Sequence, residues 1–365
     1  MKRICVYAIY DFENQTDSYI YNTLCGIAEE FSDIVVVSNS KLGKGRDKLA
    51  RYTSNIIERK NVGFDCGAFK SGIEFMYKRL EWESYDELLL LNDSFYGPLH
   101  SWHEMFDVMS NERIDYWGIS RSITGYNQRD IYKDHIQGYF IALRKKIIND
   151  NSFREFWNLI SLPHNYKDAI EIYEMGLNRW LQEHKYEGTS YMDIKGAGNL
   201  ICMNENPYIK YSYELIKKYD CPVLKRKAIN ADNWIIINKL LEEIRSEGYY
   251  DVNQIWENWK RYDLNKKIEK YSISEVVDFC TKHSRLYVYG KGLYGKQKME
   301  ILNKLGYENA EYVVTKKDDD DDVKEIGDIN FSNTDGIIIG VGPKYYDEVY
   351  KNAVSLVGVE NVLTI

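Results

Sequence analysis

The sequence has little that would place it in a membrane, in an oxidising compartment or on nucleic acid. No apolar run approaches the roughly 18 to 20 residues that a membrane-spanning helix requires. The six cysteines include no C-x-x-C pair and no metal-like spacing, so we expect reduced thiols in a cytoplasm. A net charge of −8 leaves no basic excess to displace counterions, which argues against general nucleic-acid binding. The expected location is the cytoplasm, with the inner face of the membrane as an alternative.

The chain is long and rich in aromatic residues. Its 365 residues suggest two domains, or one large domain with an appendage. The 32 tyrosines and 8 tryptophans suit carbohydrate surfaces, where a ring stacks on a sugar and its polar tip bonds a hydroxyl. Compositional drift in an AT-rich genome gives the same excess, so the rings alone assign no function.

Alternating strand and helix patterns run through residues 1–230 and predict an α/β domain. The segment 87–91 is too uniformly apolar to have a solvated face, which favours the middle of a parallel sheet. Ligands of such sheets bind beyond the carboxyl ends of the strands, so polar residues that follow a strand are candidates for a site. The expected strands are 4–10, 33–38, 54–59, 87–91, 116–120 and 138–143, and the expected helices are 17–31, 69–80 and 169–183.

Residues 231–282 are expected to form a helical linker that carries Trp256, Trp259 and Tyr262 on one face. Lysines among these rings would suit a membrane surface, and peripheral membrane association is one interpretation. Acidic residues dilute the basic face, which favours a bridge whose aromatic stripe packs on the first domain.

A second, Rossmann-like α/β unit is predicted for residues 283–365. Its loop GKGLYG at 290–295 follows a strand and opens a helix, as a dinucleotide-binding loop does. The acidic residue expected at the end of the next strand is absent, because Thr315, Lys316 and Lys317 stand there. NAD is therefore not expected, and a structural or docking role is favoured over phosphate binding at the helix N-terminus. The acidic run 318–322 is expected to be a solvated loop rather than a calcium site.

Asn92, Asp93 and Ser94 directly follow the predicted central strand. A carboxylate at the end of a buried strand is costly unless it meets a cation, hydrogen-bond donors or a sugar. Asp93 is therefore a candidate to bind a ligand. The alternative is a side-chain cap of a turn, since the sequence Asn-Asp-Ser is favourable turn chemistry.

A second polar motif follows the predicted strand 54–59. Asn61 and Asp65 could bond a base, a ribose or a phosphate edge, and Gly63 and the glycine at 67 allow close backbone approach. Arg59 could neutralise a phosphate. The alternative is a plain strand-loop-helix connection, in which Asp65 caps the next helix and Arg59 pairs with a surface carboxylate.

The remaining candidates lie farther along the chain. Glu174 lies near the first turns of the predicted helix 169–183, where it could accept a proton from a substrate hydroxyl or be a surface residue favoured by the helix dipole. His135 and Gln137 precede a strand and could bond a ligand, although a buried, satisfied histidine explains the first equally well. Lys225 and Arg226 could close over a diphosphate.

Four ordered motifs within residues 1–230 resemble the rhamnan synthesis protein F family. These are R-x-N-x-G-x-D-x-G-A at 59–68, LLLNDS-x-YGPL at 89–99, H-x-Q-x-YF at 135–140, and NP at 206–207 with PVLK at 222–225. Members of this family are bacterial glycosyltransferases of cell-wall and capsular polysaccharide assembly. The resemblance implies a GT-A fold, a nucleoside-diphosphate-sugar donor (dTDP-rhamnose or a UDP-sugar) and a glycan acceptor, often lipid-linked.

The resemblance also implies roles for the candidate residues. Glu174 would be the base of an inverting transfer, although Trp180 stands where the related helix pattern has arginine. Asp93 would hold the diphosphate side, either through Mg²⁺ or Mn²⁺ or without a metal, since many GT-A enzymes have a second carboxylate that is absent here. The donor-binding candidates are Tyr10, Arg59, Asn61, Gly63, Asp65, Asn92, Ser94, His135, Gln137 and Lys225.

Two other classes of function remain open. A catalytically silent scaffold could recognise glycan or partner enzymes through its aromatic surface. An oxidoreductase could use the C-terminal glycine loop, but the missing acidic residue counts against that interpretation.

Overall fold

The computed structural model describes residues 1–126, 130–200, 206–230, 233–265, 273–317 and 323–364. The chain divides into two compact units, one of Met1–Ala228 with Glu243–Ile255 and one of Ile229–Glu242 with Trp256–Ile365. The expected acidic loop at 318–322 and the side chain of Tyr262 lie outside the described residues.

The first unit is built on a seven-stranded sheet with strand order β10-β6-β9-β4-β1-β2-β3. Strand β9 pairs antiparallel with β4 and β6, and the other described pairings in this sheet are parallel. The short strands β5 and β11 pair separately, as do β7 and β8. The strands are β1 (Arg3–Ile9), β2 (Asp33–Ser38), β3 (Asn55–Glu58), β4 (Glu87–Asn92), β5 (Phe95–Tyr96), β6 (Tyr116–Gly118), β7 (Arg121–Tyr126), β8 (Asp130–Ile136), β9 (Phe140–Arg144), β10 (Gly188–Ser190) and β11 (Leu224–Lys225).

The sheet confirms the predicted α/β class and the central place of the apolar strand. All six residues of β4 are buried, and the strand lies between β1 and β9. Because β1, β2 and β4 run parallel, their carboxyl ends meet at one edge of the sheet. The register places Ala8 opposite Asn92 and Ile9 opposite Ser38 at that edge.

Helices cover the sheet and connect its strands. They are α1 (Ser18–Glu30), α2 (Gly45–Leu49), α3 (Phe64–Arg79), α4 (Trp102–Ser110), α5 (Lys145–Ile148), α6 (Asn151–Leu159), α7 (Tyr166–Asp168), α8 (Met175–Glu183), α9 (Tyr191–Ile194), α10 (Pro207–Lys210) and α11 (Ser212–Tyr219). The next two helices, α12 (Trp234–Glu247) and α13 (Asn253–Asn265), are each divided between the two units. The predicted helix 169–183 begins as a π-helix, Ala169–Glu174, before α8. Within the described residues, no helix is both long and apolar enough to cross a membrane.

Helix α3 begins five residues earlier than the predicted helix 69–80. Gly63 precedes it with φ of 80°, a left-handed conformation that favours glycine, and the chain enters the helix at Phe64. Asp65 therefore lies in the first turn, and the idea that it caps a helix starting near residue 69 is wrong. A carboxylate in the first turn is stabilised by the N-terminal end of the helix dipole.

The tryptophans of the predicted linker form a cluster within the second unit. The ring of Trp234 on α12 lies 5.5 Å from that of Trp256 and 5.3 Å from that of Trp259. Trp234 and Trp259 are almost fully buried. The aromatic stripe thus contributes to a core of the second unit.

The second unit contains a five-stranded parallel sheet with order β14-β13-β12-β15-β16. This strand order is that of a Rossmann-like parallel sheet, as predicted. Strand β14 was not predicted. The elements are α14 (Ile273–Lys282), β12 (Arg285–Tyr289), α15 (Leu293–Lys304), β13 (Glu311–Val314), β14 (Lys324–Glu325), β15 (Asp335–Ile339), α16 (Pro343–Val357) and β16 (Val362–Leu363).

The contact between α3 and β1 leaves no space for a side chain at Gly72, because a Cβ there would overlap the Cγ1 of Val6. We expect Gly72→Ala to lower the free energy of unfolding by about 2 kcal/mol. Gly176→Ala on α8 is the control, since the nearest atom to its Cβ would be the Glu171 carbonyl oxygen at 3.5 Å. The control should raise stability by about 0.5 kcal/mol through helix propensity. Urea unfolding curves of both variants test this, and equal effects would contradict it.

Candidate active site

A cleft opens at the carboxyl edge of the first sheet. Its walls come from the end of β1, the start of α1 and the loop after β2, and Asp93 lies among its lining residues. The side chain of Tyr10 stands at this cleft and is 42% exposed, so its ring is accessible to a ligand. A cleft with an exposed ring and a carboxylate can bind a flat group and a hydroxyl together.

Asp93 is held by donors from two directions. The Tyr10 backbone N–H donates to its Oδ2 at 3.2 Å, and the Tyr19 hydroxyl donates to its carbonyl oxygen at 3.2 Å. Arg226 donates through Nη1 to the Tyr19 hydroxyl at 3.0 Å and to the Asp93 carbonyl oxygen at 3.4 Å. Burial raises the pKa of Asp93 to about 6, Arg226 opposes this, and the carboxylate of Asp65 adds to it.

Asn92 connects the end of β4 to helix α3. Its Nδ2 donates to Asp65 Oδ2 at 2.7 Å, and its Oδ1 accepts from the Ser94 N–H at 3.1 Å. The pKa of Asp65 is raised by burial, with the hydrogen bond from Asn92 and the charge of Lys225 acting in the opposite direction and Glu174 adding to the increase. Asp65 therefore lies within electrostatic reach of both Lys225 and Glu174.

Lys225 reaches this group from the short strand β11. Its Nζ donates to the Ser94 hydroxyl at 2.9 Å and lies 3.5 Å from the centre of the Tyr139 ring, a cation–π contact. Burial lowers the pKa of Lys225 to about 7, against the attraction of Glu174, and Lys227 lowers it further. The ammonium group is thus a poorly solvated cation among carboxylates.

Glu174 is positioned by two partners. Its Oε2 accepts from the Gly138 N–H at 2.6 Å, and its Oε1 lies 3.0 Å from Nε2 of His135. The side chain of Glu174 is 24% exposed, so the carboxylate keeps access to a ligand. Each of its oxygens has a second lone pair, which can accept a proton.

The backbone around Glu174 is also held by hydrogen bonds. Asn178, one helical turn later, donates to the carbonyl oxygens of Glu174 and Ile136 at 2.8 and 2.9 Å and accepts from the Ile136 N–H at 2.9 Å. A Cβ at Gly138 would lie 2.9 Å from Glu174 Oε2, so only glycine permits this approach. Glu174 also ends the π-helix, and such wide turns are frequent at functional sites.

Other predicted residues have structural partners. Arg59 donates to Asn39 Oδ1 at 2.5 Å and to the Val62 carbonyl oxygen at 2.7 Å, so it orders the loop before α3. In the described part of the chain it pairs with no surface carboxylate. Gln137 is buried and accepts from the Ser120 hydroxyl at 2.7 Å. Asn61 is exposed on the same loop.

The structure therefore brings part of the predicted set together. The group around Glu174 consists of His135, Asp65, Asn92, Ser94 and Lys225, and Asp93 with Tyr10 lines the adjoining cleft. The catalytic and donor-binding roles of all these residues stay predictions.

The sequence reasoning missed three residues of the group. Asn178 follows Glu174 by four positions on one helix face, a spacing that could have indicated it. Tyr139 stands in the motif H-x-Q-x-YF, although that motif assigned it no role, and Tyr19 carried no signal, since it is one among 32 tyrosines.

The described side chains around Asp93 do not by themselves form a binding site for a divalent cation. Within the described parts of the chain, no group of three or more His, Cys, Asp or Glu side chains could hold a metal ion. Asp93 Oδ2 and Asp65 Oδ2 each accept a hydrogen bond, and the guanidinium of Arg226 lies beside Asp93. Mg²⁺ and Mn²⁺ prefer oxygen ligands, and in phosphate sites one or two carboxylates and the substrate's phosphates supply them, so Asp93 could hold such an ion only together with a bound donor.

The fold and the site define an α/β protein with a charged ligand cleft at the carboxyl edge of its sheet. Residues 34–329 match the family model described as Rhamnan synthesis protein F, and the chain belongs to this family. The resemblance drawn from the four sequence motifs is confirmed.

Individual relatives match shorter regions. The uncharacterized protein y4gN of Sinorhizobium fredii is 30% identical over 185 residues, which are 49% of this chain and 46% of that protein. The virulence protein VirA of Vibrio anguillarum is 28% identical over 133 residues, 35% of this chain and 39% of that protein. The chain thus spans less than half the length of these curated relatives.

Among solved structures, the crystal structure of S. aureus TarS 1-349 aligns with 84% of this chain and 90% of its own, at 14% identity and a TM-score of 0.30. This similarity is too low to support an argument about fold or function.

The lowered pKa of Lys225 predicts that its effect on the free energy of unfolding depends on pH. Between about pH 7 and pH 10 the unfolded chain, with an ordinary lysine, binds more protons than the folded chain, so the free energy of unfolding due to Lys225 rises with pH. We expect the advantage in stability of Lys225→Met over the wild type to shrink by more than about 1 kcal/mol across that range. The contacts of Lys225 with Ser94 and Tyr139 shift the difference but not its slope.

Chemical unfolding at several pH values measures this difference. Lys146→Met is the control, because Lys146 pairs with Asp115 on an exposed surface. A pH-independent difference between the wild type and Lys225→Met would contradict the assignment.

Proposed function

We propose that this protein is a GT-A glycosyltransferase that transfers rhamnose or a similar sugar, with inversion, from a nucleoside-diphosphate donor to a growing cell-wall or capsular polysaccharide. The observation that carries the proposal is the fixed carboxylate of Glu174, which lies within electrostatic reach of Asp65 and Lys225 at the carboxyl edge of the sheet. Membership in the Rhamnan synthesis protein F family supports the class of reaction.

The donor would occupy the cleft at the end of β1. The exposed ring of Tyr10 suits the base, and the carboxylate of Asp93 suits a hydroxyl of the ribose. The diphosphate would then lie toward Lys225 and Arg226, which approach the loop after β4 from β11. The positive charges of Lys225 and Arg226 would attract the negatively charged diphosphate.

The acceptor would approach from the side of Glu174. As the acceptor oxygen bonds to the anomeric carbon, its proton passes to Glu174, and the bond from that carbon to the diphosphate oxygen breaks with its electrons. Attack from the face opposite the leaving group inverts the anomeric centre. His135 and the Gly138 N–H hold the carboxylate in place for this transfer.

The acceptor itself is proposed from the family alone. A glycan or a lipid-linked glycan fits polysaccharide assembly, and a lipid-linked acceptor would bring the protein to the inner face of the membrane.

Replacing Glu174 by glutamine tests the role of this carboxylate. We expect Glu174→Gln to reduce sugar transfer by about 10²-fold or more while donor affinity stays near that of the wild type, because an amide cannot take the proton. The amide can still accept from the Gly138 N–H and donate to His135, so the fold should be preserved. Transfer assays and donor titrations measure both quantities.

Glu171→Gln is the matched control, since Glu171 lies on the same π-helix with an exposed side chain. Its transfer rate should equal that of the wild type. Unchanged turnover in Glu174→Gln would remove the base assignment.

Donor binding can be tested without an acceptor. A nucleotide-sugar at about 100 times its Kd should add about 2.7 kcal/mol to the free energy of unfolding and raise the melting temperature. We expect this with dTDP-rhamnose or a UDP-sugar for the wild type and a much smaller effect for Asp93→Ala. A protein that no nucleotide-sugar stabilises, but that binds glycan, would be the scaffold of the alternative interpretation.

A further inference from the structure

Two cationic side chains, those of Lys225 and Arg226, lie beside the part of the proposed site that would bind the diphosphate. We infer that Lys225 and Arg226 together neutralise the diphosphate of the donor, so that donor binding and departure of the diphosphate need no divalent metal ion. The inference rests on the proposed function and concerns the part of that site that faces the diphosphate.

The backbone fixes both cations against the loop that carries Asp93. Strand β11 pairs antiparallel with β5, which follows that loop, and Lys225 lies opposite Phe95 in the register. The Arg226 N–H also donates to the Ser94 carbonyl oxygen at 3.1 Å. The backbone of Lys225 is therefore held by strand pairing and that of Arg226 by its bond to Ser94, so a ligand need not order this segment.

The partners of the Lys225 ammonium group are neutral. Its Nζ contacts the Ser94 hydroxyl and the Tyr139 ring, and no carboxylate in the described part of the chain lies within ion-pair distance of it. Burial lowers its pKa to about 7, and a bound diphosphate would raise it again. A half-buried cation that is attracted by Glu174 and Asp65 but makes no ion-pair contact with them is costly to a folded protein, and an anionic ligand in contact reduces that cost.

Arg226 faces the same loop from the other side. Its Nη1 donates to the Tyr19 hydroxyl and to the Asp93 carbonyl oxygen, both of which are uncharged groups. Its charge acts on the Asp93 carboxylate and opposes the increase in the pKa of that group. A guanidinium in this position can bond two phosphate oxygens, and it would repel a divalent cation.

Both carboxylates at the site already accept hydrogen bonds within the protein. Asp93 Oδ2 accepts from the Tyr10 N–H, and Asp65 Oδ2 accepts from Asn92. A divalent ion would have to compete with these bonds and with two nearby positive charges. The two cations carry the charge that such an ion would supply, and they stabilise the diphosphate as it gains charge in the transition state.

Titration of the protein with dTDP and with UDP, by calorimetry, tests the inference. Each nucleotide is titrated in three conditions: in excess EDTA, in excess MgCl2 and in excess MnCl2. We expect the preferred nucleotide to bind the wild type with the same affinity, within about threefold, in all three conditions.

Variants then test the cations. Lys225→Met and Arg226→Gln should each lower the affinity for the diphosphate by about tenfold or more, with no recovery on adding metal, whereas Lys146→Met should bind as the wild type does. The comparison with EDTA uses the wild type alone, so it remains decisive if a variant does not fold.

The outcomes separate this inference from the proposed function. Binding that requires MgCl2 or MnCl2 would overturn the inference and leave the glycosyltransferase proposal in place. The absence of binding of either nucleotide in every condition would overturn both. Full affinity of Lys225→Met and Arg226→Gln in EDTA would show that these cations do not hold the diphosphate.

Discussion

The parallel pairing of β4 with β1 is the constraint on which the rest of this structure depends. It sets the register that places Asn92 opposite Ala8, so the residues after both strands emerge at one edge of the sheet. Strand β4 is buried along its whole length, and a shift of one residue would turn its apolar side chains to the wrong face. The cleft at Asp93 and its contact with Tyr10 follow directly from that register.

The burial of charged side chains at the site destabilises the folded protein, and this indicates a functional role for the site. Asp65 and Asp93 have raised pKa values because they are partly removed from water, and Lys225 has a lowered one for the same reason. The attraction between Asp65 and Lys225 recovers some of the lost solvation, and the hydrogen bonds from Asn92 and the Tyr10 N–H recover more. Charged groups with shifted pKa values around a cleft are typical of functional sites, because apolar residues in the same positions would usually give a more stable protein.

Much of the fold followed from hydrophobic pattern, since buried strands and amphipathic helices are local signals. The start of α3 was missed because it depends on the left-handed conformation of Gly63, which a sequence pattern does not specify. The partners of Arg59 and Gln137 were missed for another reason. Asn39 and Ser120 lie 20 and 17 positions away in the chain, and only the folded sheet brings them close.

The sequence by itself determined the α/β class, the central apolar strand and the ordered motifs that place the chain in its family, because each depends on neighbouring residues. Only the tertiary structure decided which charges meet. Lys225 reaches Ser94 across 131 positions, and His135 reaches Glu174 across 39. Electrostatic and hydrogen-bond interactions act over a few ångströms in space, so residues far apart in the chain interact only after strand pairing has fixed their positions.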